Sequence, residues 1–186
     1  MSGGGTVERD ETLRLFLALL LPDEVVSSLD AWSRRQLRAG RRVDALHVTL
    51  AFLGDRPRPD LDGVVGALRE SAAETEPFVL ALTRYRETRS VGMLVLDDPT
   101  GAATRLAVDL HARLEALGVY MREARTWLPH VTMLRVRERP RLSPPLPTIE
   151  PFAPSGAAAF LSRLHPSGAR YEVLEECALG VRQAGG

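Results

Sequence analysis

Two stretches of the chain carry the same pattern, and they constrain the fold more than any other feature: Leu46-His47-Val48-Thr49-Leu50 and Pro129-His130-Val131-Thr132-Met133. Each reads His-x-Thr followed by an apolar residue. On a β-strand alternate side chains point the same way. His47 and Thr49 are therefore expected on one face of a strand, and His130 and Thr132 on one face of another. Two such strands side by side aim two imidazoles and two hydroxyls into one cleft. The remainder of the chain has to bring those strands together.

The 186 residues suffice for one domain, or one domain of two lobes. Basic and acidic residues balance at 24 each, so overall charge gives no argument for avid, non-specific nucleic-acid binding. A local arginine cluster would still serve a small RNA end or a cyclic nucleotide. Cys177 is the only cysteine, which rules out an intramolecular disulfide and an all-cysteine zinc site and is compatible with a cytoplasmic protein. Leu13–Leu21 is apolar but too short to span a bilayer, and acidic residues precede it where a signal peptide wants basic ones. It reads as a central, buried strand, and no membrane association is expected.

In chain order, residues 1–11 read as a loose tail, 12–182 as one bilobal domain and 183–186 as a C-terminal tail. Asp23 is placed to N-cap a helix from Glu24 to about Arg38. Arg41–Ala45 reads as a turn-like lead into the first His strand, which is expected to stop at Gly54-Asp55. A second helix is expected from Pro59-Asp60 to about Ala73, then strands over Phe78–Tyr85 and Met93–Leu96. A third helix covers Thr100–Leu117, with Leu106, Leu110, Leu114 and Leu117 as its stripe and Gly118 ending it. The second His strand runs from His130 to about Val136. Arg139–Pro154 is proline-rich and reads as a long irregular connection. Strands near Ala157–Leu164 and Tyr171–Val181, joined by a turn at His165–Gly168, close the chain. The His-x-Thr motif thus recurs near the middle of each half. That pattern predicts an α+β fold of two similar lobes with antiparallel or mixed sheets facing one another.

The paired motifs suit a phosphate ester. Cleaving one with water needs a base for the nucleophile and an acid for the leaving oxygen, and imidazole supplies either near neutral pH. The two threonine hydroxyls can donate to non-bridging oxygens as charge builds up. Arg135 can add positive charge, with Arg125 as a second candidate. Phe52 and Trp127 are core residues by default, but either can stack on a base. A two-histidine metal site ranks lower, because the motifs lack carboxylates or cysteines at ligand spacing and threonine is a poor zinc ligand. His111, within the third helix, and His165, in a turn, read as packing or surface histidines. No Gly-x-Ser-x-Gly elbow supports a serine nucleophile, Cys177 has no catalytic signature, and no phosphate-cradling glycine loop opens a helix.

With their flanks the motifs become specific. Arg14-Leu-Phe-Leu-Ala-Leu-Leu-Leu-Pro22, Leu46-His-Val-Thr-Leu-Ala-Phe-Leu-Gly-Asp55, Arg125-Thr-Trp-Leu-Pro-His-Val-Thr-Met-Leu-Arg135 and the closing segment through Tyr171 resemble the 2H phosphoesterase superfamily. Within it they are similar to the RNA 2′,3′-cyclic phosphodiesterases, also called 2′-5′ RNA ligases. Trp127 and Met133 stand where the family usually has Phe and Leu, and Val91–Leu96 departs from its usual Val-x-Trp strand. The resemblance implies a bilobal α+β fold, with mainly antiparallel sheets facing a central cleft and helices outside, and metal-free, cofactor-free hydrolysis of a terminal 2′,3′-cyclic phosphate on RNA to a 2′-phosphomonoester. It implies His47 as the acid on O3′, His130 as the base on water, Thr49, Thr132 and Arg135 on the phosphate, and Phe52 on the terminal base. The chemistry run backwards would join a 5′-hydroxyl to the cyclic phosphate in a 2′-5′ linkage. The expected partners are RNA ends or nucleotides with a cyclic phosphate, and the expected state is a monomer. The rival readings are a 2H enzyme for a small cyclic phosphate or a 2′-5′ oligonucleotide, and a non-catalytic module that binds RNA ends or nucleotides.

Overall fold

The computed structural model describes residues 11–165 and 168–180. Residues 1–10, 166–167 and 181–186 lie outside the described residues. So do most of the expected N-terminal tail, the middle of the His165–Gly168 turn, Val181 and the expected C-terminal tail. Glu11, at the edge of that tail, is tied down: its carbonyl accepts the Arg58 N–H at 2.9 Å and its carboxylate pairs with the Arg58 guanidinium at 2.8 Å.

The strands are β1 (Thr12–Leu20), β2 (Arg41–Arg42), β3 (His47–Pro57), β4 (Ala81–Glu87), β5 (Val91–Asp97), β6 (His130–Arg135), β7 (Gly156–Arg163) and β8 (Arg170–Cys177). The helices are α1 (Asp23–Gln36), α2 (Leu61–Glu74) and α3 (Ala102–Ala116). All eight strands form one antiparallel sheet in the order β4-β5-β6-β3-β1-β7-β8, with β2 also pairing with β6. The two halves of the sheet meet where β3 and β6 share a single Cα partner pair, Val48↔Val131. One wing is β4-β5-β6 and the other β3-β1-β7-β8. That junction is the physical form of the two lobes expected from the recurring motif.

One row of partners crosses nearly the whole sheet: Leu94, Val131, Val48, Leu19, Ala157 and Cys177. All six are buried in one core cluster that also takes Val25, Leu29 and Trp32 of α1, Val64 and Leu68 of α2, and Leu106 and Leu110 of α3. The helices therefore cover one face and leave the other to the cleft. β1 is apolar on both faces for this reason. Leu17 and Leu19 meet the helices, while Phe16 and Ala18 join Ala158 and Phe160 in a separate cluster on the cleft side. Among the described residues no helix is long and apolar enough to cross a membrane.

Four expectations are corrected in detail. Asp23 is the first helical residue, not the cap. Pro22 occupies that position and its carbonyl accepts the N–H groups of Val25 and Val26, each at 3.0 Å, while Asp23 and Glu24 complement the helix dipole. Arg41-Arg42 is a short strand on the edge of β6, not part of a turn. Gly54 does not end the first His strand. Its φ of +66° lets β3 bulge at Leu53 and continue to Pro57. Leu117 leaves the α3 stripe: the helix ends at Ala116, Leu117 is exposed, and Gly118 follows with φ +71°. The long connection before β7 holds no regular element beyond one bridge, Leu80↔Phe152.

Candidate active site

The single Val48↔Val131 pair sets the geometry of the site. In an antiparallel register it puts His47 opposite Thr132 and Thr49 opposite His130. The valines are fully buried toward the helices, so the four motif side chains face the cleft. Directly opposed Cβ atoms stand about 5 Å apart and diagonal ones about 7–8 Å. The two histidines occupy a diagonal across the junction.

The imidazoles are held alike. His47 Nδ1 lies 2.9 Å from the Ala45 carbonyl and His130 Nδ1 lies 2.8 Å from the Leu128 carbonyl, each two residues upstream. A carbonyl only accepts, so Nδ1 carries the hydrogen in both rings and Nε2 is left for chemistry in the cleft.

Their surroundings differ. His47 is packed among aromatic rings, with centroids at 4.9 Å for Phe16, 5.6 Å for Tyr171 and 6.1 Å for Phe160. Burial pushes its pKa down to about 4, and the positive charges of Arg135 and His130 push in the same direction, against the Ala45 hydrogen bond. These aromatics come from β1, β7 and β8 and were not visible as site residues in the sequence. The one hint was an aromatic residue inside the otherwise aliphatic first strand.

Each motif is followed by a β-bulge at the same position. Ala18 pairs with Thr49 and Leu17 with Ala51, so Leu50 is the extra residue in β3. Met93 pairs with Thr132 and Gly92 with Leu134, so Met133 is the extra residue in β6. A bulge shifts the side-chain alternation by one. Phe52 and Arg135, five residues after their histidines, are thereby turned onto the cleft face, where strict alternation would bury them. Phe52 is half exposed, with the Arg14 guanidinium 4.9 Å from its ring centre.

The bulge carbonyls are satisfied individually. Met133 O accepts the Val43 N–H at 3.0 Å. Leu50 O accepts Nε2–H of His111 at 2.7 Å, and Thr49 O accepts the Trp127 indole N–H at 3.0 Å. His111 is thus a packing histidine, as expected, with a specific duty: it is buried on α3, packs at a tilt against the Tyr120 ring at 4.8 Å and fixes the β3 bulge. Trp127 packs against the core and braces the lead into β6 on β3. The Arg125 side chain is 82% exposed and its guanidinium pairs with Glu123 at 2.5 Å. Among the described residues no group of three or more His, Cys, Asp or Glu side chains is placed to hold a metal ion.

Two consequences are measurable. The neutral form of His47 is the one the fold accommodates, so between about pH 6.5 and 4 the unfolded chain binds a proton that the folded protein refuses. Stability is fully present above pH 6.5 and falls toward pH 4, by on the order of 3 kcal/mol from this group. His47→Phe, which can fill the aromatic setting without titrating, is expected to remove that component of the pH dependence in urea unfolding series. His111→Phe keeps the ring packing but strands the Leu50 carbonyl. It is expected to lower unfolding free energy by about 1–3 kcal/mol, read from the urea midpoint.

An antiparallel sheet backed by helices, with two His-x-Thr strands meeting at its centre, is the α+β 2H phosphoesterase fold. The chain belongs to the 2′-5′ RNA ligase superfamily, whose sequence profile matches residues 21–161. The RNA 2′,3′-cyclic phosphodiesterase of Thermus thermophilus is 32% identical over 180 residues, which is 90% of each chain. E. coli LigT complexed with 3′-AMP superposes with a TM-score of 0.80 at 26% identity, covering 91% of this chain and 99% of that one. E. coli LigT complexed with phosphate superposes with a TM-score of 0.76 at 25% identity and the same coverage.

Proposed function

We propose that this protein hydrolyses the terminal 2′,3′-cyclic phosphate of RNA to a 2′-phosphomonoester, using two histidines and no metal or cofactor. The observation that carries the reading is the interlocked motif pair, with both Nε2 atoms available in one cleft and a threonine hydroxyl beside each. The family and the activity of the Thermus relative support the same reaction class. His130 Nε2 takes a proton from the attacking water, and His47 Nε2 gives one to the departing O3′. Thr49, Thr132 and Arg135 hold the non-bridging oxygens as charge develops on them. Phe52 stacks on the terminal base, and Trp127, with its indole N–H on the Thr49 carbonyl, keeps the two strands in register. A 5′-hydroxyl in place of water gives a 2′-5′ linkage in the same cleft. All the groups required come from one chain, so a monomer suffices, and a lone buried thiol fits the cytoplasm.

The acid role places a condition on His47. In the empty cleft its depressed pKa leaves it neutral at pH 7. The phosphate anion has to restore its proton on binding, as an opposite charge close by does. By linkage, the product phosphate should bind more tightly as pH falls. The test is incubation with a cyclic-phosphate-ended oligonucleotide in EDTA. A 2′-phosphomonoester product is expected. Failure to hydrolyse it, or hydrolysis that EDTA abolishes, removes the reading. Hydrolysis only of a small cyclic phosphate or a 2′-5′ oligonucleotide replaces RNA ends with that substrate.

A further inference from the structure

The chain is neutral overall, yet two segments beside the cleft are strongly basic. Residues 84–89 and 135–141 hold seven arginines against two glutamates. Glu87 is already occupied: it is buried, accepts the N–H groups of Arg141 and Leu142, each at 2.9 Å, and pairs with Arg139 at 3.5 Å. On β4, Tyr85 packs toward the helix-side core, which puts Arg84 and Arg86 on the cleft face. The register agrees. Arg84 pairs with Val95 and Val95 with His130, while Arg86 pairs with Met93 and Met93 with Thr132. Both arginines are exposed, and neither makes an ion pair among the described residues. They stand two strands from the reacting histidine, at about 10 Å by sheet spacing. Beyond them, at the end of the β4–β5 hairpin, Thr88, Arg89, Arg137, Glu138 and Arg139 line a cavity of about 600 Å³.

The opposite end of the same cleft-face row runs Thr49, Ala18, Ala158, Glu176 and so ends on a carboxylate. The row thus runs from a guanidinium on β4 to a carboxylate on β8, so an anionic chain leaving the histidine pair along it is drawn toward β4. We propose that Arg84 and Arg86, continued by Arg89 and Arg137, form a subsite for backbone phosphates of the RNA strand upstream of the reacting end. The protein then prefers a polyribonucleotide to a cyclic mononucleotide. Guanidinium forks suit this role because they bind phosphate oxygens in pairs without reading a base. The inference rests on the phosphodiesterase reading above and adds the length of substrate that the cleft recognises.

The test compares kcat/KM for 2′,3′-cyclic AMP with that for a short oligoadenylate ending in the same cyclic phosphate, in wild type and R84A/R86A. The ratio of the two values is independent of the fraction of folded enzyme. Wild type is expected to favour the oligonucleotide by roughly tenfold or more at low salt, and R84A/R86A to lower the ratio by a similar factor. The logarithmic salt dependence for the oligonucleotide should become shallower by about 0.7 for each phosphate that the variant no longer neutralises. A wild-type ratio near unity, or a ratio unchanged in R84A/R86A, overturns the subsite and leaves the phosphodiesterase reading standing. Hydrolysis of neither substrate overturns that reading instead. Anisotropy of fluorescein-labelled oligoadenylate then decides the subsite: weaker binding by R84A/R86A supports it and equal binding rejects it.

Discussion

Alanine in place of either His47 or His130 is expected to lower kcat on a cyclic-phosphate-ended oligonucleotide by about 10²–10⁴. The double variant should be little worse than the poorer single one, because residues acting on one transition state are not additive. Both rings are fixed through Nδ1 and offer Nε2, so neither loss can be covered by a shifted neighbour. The variants also separate the two roles. A phosphodiester with a p-nitrophenyl leaving group departs without a proton. The variant lacking the acid should recover most of its rate on that substrate, and the variant lacking the base should not. Recovery by His47→Ala supports His47 as the acid. Recovery by His130→Ala exchanges the roles, and recovery by neither removes acid catalysis from the scheme. The fold should tolerate His130→Ala, since the buried partner of the motif is Val131 and the ladder to β5 runs through the backbone.

The four central residues were legible because a strand repeats every two residues and each motif fits inside one strand. What places Phe52 and Arg135 was harder to read. Alternation from His47 and His130 puts both on the helix face, and only the bulges at Leu50 and Met133 turn them round. The sequence did contain a trace of this: Leu50-Ala51 and Met133-Leu134 are consecutive apolar pairs that break the period. The aromatic setting of His47 was hidden for another reason. Phe16, Phe160 and Tyr171 are distant in sequence and become neighbours only through the β1–β7–β8 pairing. The elements themselves are legible where helical period and length agree, as in α1 and α3, and in β1 where a short unbroken apolar run is too brief for a helix. Gly54 misled because a glycine with positive φ serves a bulge as readily as a turn.

Arg135→Ala is expected to produce the second large effect, a loss of about 10²–10³ in kcat/KM, equivalent to about 3–4 kcal/mol of transition-state stabilisation. The cause is local. Arg135 occupies in β6 the position that Phe52 occupies in β3, each turned into the cleft by the bulge before it. The motifs and bulges of the two halves are near copies, so this exchange of a ring for a cation joins the aromatic setting of His47 as a source of their asymmetry. Its charge acts on His47, where it adds to the effect of burial in holding the pKa at about 4. Removing it should therefore raise the His47 pKa, by less than the full displacement because burial is the larger cause. Histidine NMR titration of the free protein reads that shift directly, and a role in folding alone would not produce it. Arg135→Lys retains a charge but not the planar fork, so it should recover the pKa more completely than the rate. The backbone of Arg135 is paired on both sides, to Arg41 and to Val91, so truncating the side chain leaves the ladder intact. Phe52→Ala, at the equivalent position, is expected to raise KM and spare kcat, because a stacked base contributes to binding before and during the reaction alike. An unchanged His47 titration in Arg135→Ala, together with a loss confined to KM, would assign Arg135 to substrate capture and leave the transition-state charge to the two threonines.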